Sequence, residues 1–177
     1  YSEAIRLDPQ LTFAFFNRAG TWLAKSEYDK AIADFNESIR RFPQDCNAYR
    51  GRAHAWVGKG EYGKAIPDYN DAIRLDPRDH RNYNARAWFY ATCPKARFRN
   101  GDQAIKDAKK ACELTDWKDS GHIDTLAAAY AENGGFADAV KWQHKALDLT
   151  PAGDKDLPEM RDRLALYRSG QPYREES

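Results

Sequence analysis

Residues that build reactive or cross-linked sites are scarce in this chain. Among 177 residues there are three Cys, one Met and four His. Cys46, Cys93 and Cys112 show no C-x-x-C spacing and cannot all pair, which argues against a disulfide framework. That pattern suits a reducing compartment, read here as the cytoplasm with the periplasm left open. His54, His80, His122 and His144 form no HExxH motif and no ligand spacing with Cys or carboxylates, so no metal is expected. A Gly-rich phosphate loop and a GxSxG elbow are also missing, and neither an enzyme nor a cofactor is expected. No apolar run approaches the ~20 residues that span a bilayer. An excess of one charge is lacking too: 28 Lys+Arg stand against 27 Asp+Glu, a formal net charge of +1. Generic nucleic-acid and membrane-surface binders are usually basic, so nucleic acid is not the expected partner. The first residue is Tyr1, with no signal-like segment after it, and the expectation is a piece of a longer chain.

What the sequence has is a period. Pro9, Pro43 and Pro77 are 34 residues apart, and so are Phe15, Tyr49 and Tyr83, and Arg18, Arg52 and Arg86. Tyr28 and Tyr62, and Ala31 and Ala65, keep the same interval, and the string AIRLDP occurs at 4–9 and at 72–77. A fixed period in this range means stacked supersecondary units. Each unit reads as two helices. Phe15, Arg18, Ala19 and Trp22 follow helical spacing, SEYD turns the chain, and Ala31, Phe35 and Ser38 form a second stripe closed by Pro43. Small residues (Ala19/Ala53, Ala31/Ala65) belong where helix backbones approach, with aromatics filling the space beside them.

This pattern of aromatic, small and aromatic residues followed by Ala, aromatic and Pro resembles the tetratricopeptide repeat family, in the form of a bacterial-type multi-repeat array. A third copy runs Tyr83, Arg86, Ala87, Tyr90, Ala104 and Ala108, and a fourth Ile123, Leu126, Ala127, Tyr130, Ala139, Ala146 and Pro151. The resemblance implies an all-α fold, a right-handed α-solenoid of stacked antiparallel helix pairs with a C-terminal capping helix. The expected organisation is a second helix of a truncated leading repeat at 1–10, then repeats at 12–45, 46–79, 80–118 and 119–152. A capping helix at 153–170 and a polar, fraying tail at 171–177 complete it. Ala104 stands 14 positions after Tyr90 where the first two units have nine, so repeat 3 carries a five-residue insertion near 93–101. Leu157, Met160, Leu164 and Tyr167 give the capping helix its apolar face.

Three groups of residues are candidates for interactions. Arg18, Arg52 and Arg86 recur in register with Asp34, Asp68 and Asp107, which suggests an intramolecular Arg–Asp ladder. The resemblance implies a concave groove lined by the first helix of each repeat. On the stripe offset by one residue from the packing stripe this gives Phe13, Phe16, Asn47, Arg50, His54, Arg81, Asn84 and Trp88, running on to Asp124, Ala128 and Ala131. Aromatic anchors beside Arg suit a peptide. The carboxylate clamp of some family members is not expected, since its positions hold Phe16, Gly20, Gly51, Arg81 and Ala85. The third group is the insertion, where Lys95, Arg97, Phe98 and Arg99 form a possible second contact loop within a stretch, 80–119, of nine Lys+Arg and five Asp+Glu. The expected function is a non-catalytic scaffold that holds another protein or a peptide segment in the groove. The alternative is a self-associating scaffold, a dimer or head-to-tail stack through the exposed N-terminal helix.

Overall fold

The computed structural model describes residues 1–7 and 12–175, so Pro9 and the 4–9 copy of AIRLDP lie partly or wholly outside the described residues. The described elements are helical, and they form two compact units, Tyr1–Pro77 and Arg78–Ser177.

The first unit contains α1 (Ser2–Leu7), α2 (Thr12–Ala24), α3 (Tyr28–Arg41), α4 (Cys46–Gly58) and α5 (Tyr62–Leu75). Helices α2 and α3 pack as one pair, α4 and α5 as the next, and α3 lies against α4. Alanines make the close approaches: Ala14, Ala19, Ala31, Ala48, Ala53, Ala55, Ala65 and Ala72 are fully buried. Phe35 fills the space between the pairs, and its ring lies against Gly51, where an added Cβ would stand 2.4 Å from the ring. Tyr28 covers Gly58 in the same way, at 2.3 Å. The tight turns between paired helices need a left-handed residue, supplied by Ser26 (φ 57°) and by Gly60 (φ 78°) one repeat later.

The second unit contains α6 (His80–Thr92), a 3-10 turn at Ala96–Phe98, α7 (Gly101–Leu114), α8 (Ser120–Glu132), α9 (Phe136–Leu149) and α10 (Leu157–Arg168). Helix α8 is central, packed on α6, α7, α9 and α10. Nine of its thirteen residues are accordingly buried. Its partner helices contribute Ala87, Ala104, Ala108, Ala139 and Ala146, all fully buried. Asp45, Asp79 and Asp119 each accept a backbone N–H as the N-cap of α4, α6 and α8. Asn100 caps α7 after the insertion.

The charge ladder runs inside these pairs. Arg18 grips Asp34 with Nε and Nη2 at 2.7 Å each, Arg52 grips Asp68 at 2.8 and 2.6 Å, and Arg86 grips Asp107 at 2.7 and 2.9 Å. All three carboxylates are buried, and the fork geometry satisfies both oxygens at once. The Asp34 and Asp68 carboxylates hold the Arg18 and Arg52 guanidinium groups above their ordinary range. In the fourth repeat the corresponding positions are Leu126 and Trp142, which share one apolar cluster. The ladder therefore gives way to hydrophobic packing within the α8–α9 pair. Helix α10 buries Met160, Leu164 and Tyr167 as the apolar stripe requires, and Arg163 with them.

Candidate functional site

On α2 and α4 the expected groove residues take different roles. Phe13 is exposed, at 61% of its full surface. Phe16 instead meets Phe35 edge-on at 5.9 Å and packs on the apolar cluster of the first unit. Phe16 is therefore half-buried, with one edge against Phe35. Arg50 donates to Asn47 Oδ1 at 2.6 Å, and the exposed His54 sets its ring edge-on to Tyr69.

In the second unit the first-helix stripe is already engaged. Arg81 folds back on its own cap, donating to both oxygens of Asp79 at 2.8 and 2.9 Å. Asn84 is half-buried, and its Oδ1 is buried with no hydrogen-bond partner among the described residues. Trp88, one turn further on, faces the end of the chain. Its Nε1–H donates to Glu175 Oε1 at 2.6 Å, and its ring lies 5.8 Å from that of Tyr173. The Arg163 guanidinium lies over both rings, 5.4 Å from the Trp88 centroid and 5.5 Å from that of Tyr173.

The C-terminal segment is thus docked, contrary to the expectation that it frays. The reason lies at the end of α6, where Cys93-Pro94 stops the helix and leaves its last carbonyls without intrahelical donors. Cys93 N–H takes Phe89 O and Asn100 N–H takes Tyr90 O. The tail takes the other two: Arg174 donates to Ala91 O at 3.3 Å, and Glu175 N–H to Thr92 O at 3.0 Å. Arg174 also pairs with Glu132 at the end of α8.

Glu132 is the residue that joins the insertion to this site. Arg99 donates to its Oε1 at 3.0 Å and also binds Cys93 O at 3.0 Å. Arg99 is therefore a brace of the loop, not a free contact residue, which corrects its placement in the contact loop. Lys95 and Arg97 remain exposed, and Arg97 stacks on Phe98 at 4.7 Å. Burial pushes the Cys93 thiol up, away from reactive thiolate character.

Ala128 and Ala131 are buried and line no groove, and Asp124 is nearly buried, reaching only the edge of a cavity. Asp124 is held by Arg163 (Nη2 to Oδ2, 2.9 Å) and by Gln143 Nε2 at 2.6 Å. Burial nevertheless pushes its carboxyl above the usual range. Beside this cluster opens a cavity of ≈310 Å³, with Trp88, Asp124, Asp156, Glu159, Met160 and Arg163 among its lining.

Stacked antiparallel helix pairs with small-residue contacts define a helical-repeat protein. Residues 16–80 match the family model described as tetratricopeptide repeat. Solved structures carry the likeness across most of the chain. TTC0263, a thermophilic TPR protein in Thermus thermophilus, is 25% identical with a TM-score of 0.74, over 95% of this chain and 87% of that one. The structure reported for Pseudomonas aeruginosa pilF is 18% identical with a TM-score of 0.75, over 89% of this chain and 68% of that one. YrrB, a TPR protein with an unusual peptide-binding site, is 16% identical with a TM-score of 0.67, over 96% of this chain and 84% of that one. A search of curated proteins finds no match. Residues 16–80 thus match tetratricopeptide repeats in sequence, and the described helices share the fold of these tetratricopeptide repeat structures. Among the described residues no helix is long and apolar enough to cross a membrane.

Proposed function

We propose that this protein is a non-catalytic scaffold that holds an extended segment of another protein against the first helices of its repeats. The observation that carries this reading is the mode in which residues 173–175 lie on α6 and α8: one aromatic ring, one Arg and one carboxylate, each with its own partner, plus a backbone N–H on a helix carbonyl. A peptide from elsewhere has the same groups to offer. The adjoining ≈310 Å³ cavity gives room for a longer ligand than the tail. In the first unit, exposed Phe13 and the Asn47–Arg50 pair on α4 are the corresponding contact groups. Affinity in the micromolar class, about 8 kcal/mol, suits such a surface.

A peptide array probed with the full chain tests this. Captured peptides are expected to lose at least about tenfold in affinity, about 1.4 kcal/mol, with Trp88→Ala or Phe13→Ala. Peptides that bind both variants as well as the unsubstituted chain sink the reading.

A further inference from the structure

The tail identifies the chemistry of the ligand that the α6–α8 face accepts. Tyr173, Arg174 and Glu175 follow one another in sequence, and while Tyr173 and Glu175 both reach Trp88, Arg174 between them meets a different group. Tyr173 meets the Arg163 cation and the Trp88 ring. Arg174 meets Glu132 and the Ala91 carbonyl. Glu175 meets the Trp88 indole through its side chain and Thr92 through its amide. Three consecutive residues that alternate in this way are an extended ligand, and the backbone bond to Thr92 fixes its register.

The receptor groups lie on helices α6, α8 and α10 and not on the tail. Trp88 and Thr92 are on α6, Glu132 ends α8, and Arg163 is locked on Asp124 through α10. The tail joins α10 through Ser169 and Gly170, and Gly170 has a φ of +71°. Its hold is also imperfect in charge. Glu132 already carries Arg99, so Arg174 brings a second cation to one carboxylate. Burial and the nearby Arg99 accordingly leave the Arg174 guanidinium below its ordinary range despite Glu132.

We propose that the face formed by Trp88, Ala91, Thr92, Glu132 and Arg163 is a docking site for an extended peptide presenting an aromatic residue, an arginine and an acidic residue in succession. The chain's own Tyr173–Glu175 fills that site in cis, and an outside segment of the same chemistry displaces it. This rests on the proposed role of the repeat faces in holding protein segments and names the ligand class for one of them. A tethered ligand competes at high effective concentration, so an outside peptide binds weakly until the tail is weakened or outnumbered.

The probe is a fluorescein-labelled GQPYREES peptide, read by polarisation against the 177-residue chain. The chain carrying Tyr173→Ala and Arg174→Ala together is expected to bind it at least about tenfold more tightly than the unsubstituted chain. Glu175→Gln, which weakens one bond without altering packing, is expected to fall between the two. Adding Trp88→Ala to the double variant removes binding, and a peptide with Ala in place of its Tyr and Arg does not bind. Equal affinity of the unsubstituted chain and the Glu175→Gln chain overturns the proposal, even where the double variant is poorly folded. So does a folded double variant that ignores the peptide. If the tail peptide fails while array peptides still depend on Trp88, only the ligand assignment falls. If no peptide depends on Trp88, the role of this face in binding falls with it.

Discussion

Trp88 donates its indole N–H to the Glu175 carboxylate at 2.6 Å, across 87 residues of sequence. That bond ties the middle of α6 to the last described residue of the chain, and it gives the docked tail a spectroscopic signature. In a two-dimensional nitrogen–proton spectrum, the Trp88 indole resonance is identified as the one lost in Trp88→Phe. Glu175→Gln is expected to move it upfield as the bond to a charged acceptor weakens, with the other four indole signals unmoved.

The Arg–Asp ladder makes a prediction about stability. Arg52→Met leaves Asp68 buried without its main partner and is expected to cost about 3 kcal/mol in urea unfolding. The pair Arg52→Met with Asp68→Leu removes both charges and is expected to recover most of that loss. Recovery of nothing would mean that the forked pair itself carries the stability.

Two backbone positions of the first unit should respond in opposite directions. Gly51→Ala drives a methyl group into the Phe35 ring and is expected to destabilise by about 1–3 kcal/mol. Ser26→Gly relieves a left-handed residue with a side chain, at the position where the next repeat has Gly60, and is expected to stabilise by up to about 1 kcal/mol. Chemical unfolding of each variant checks both signs.

His80 and His122 approach to 3.2 Å between Nδ1 and Nε2, with Asp79 and Asp119 beside them. Burial, helped by His80 and opposed by Asp119 and Asp79, lowers the His122 pKa from its ordinary value. The unfolded chain therefore binds the proton more readily, so stability is present above about pH 6.5 and is lost as pH falls below it. Melting temperature is expected to drop between about pH 7 and pH 5, and His122→Asn is expected to flatten that part of the profile. A profile equally steep in the variant would assign the loss to other groups.

Much of the fold was legible because the repeats restate it. Ala31 and Ala65, Phe35 and Tyr69, and the three Arg–Asp pairs recur at fixed intervals, and a helix face that recurs has a packing role. The docking site was not legible for the converse reason. Glu132, Arg163 and Glu175 occur once each in their roles, and their partners lie far away in sequence. Arg163 shares a helix face with Met160 and Tyr167, so its buried position was masked by an apolar stripe that reads complete without it. Two signals were available: Trp88 on the groove stripe, and Cys93-Pro94, which announces a helix end whose carbonyls need donors. Arg99 was visible as a cation, but nothing in the loop sequence revealed that Glu132 would hold it.

The account depends most on whether the α6–α8 face binds extended segments, and a competition experiment addresses that directly. Hydrogen exchange of the Glu175 amide, which donates to Thr92 O, reports release of the tail when peptides captured on the array are added to the unsubstituted chain. The account predicts that peptides whose capture depends on Trp88 accelerate exchange at Glu175 in proportion to their affinity. Exchange that stays unchanged under saturating peptide would contradict it.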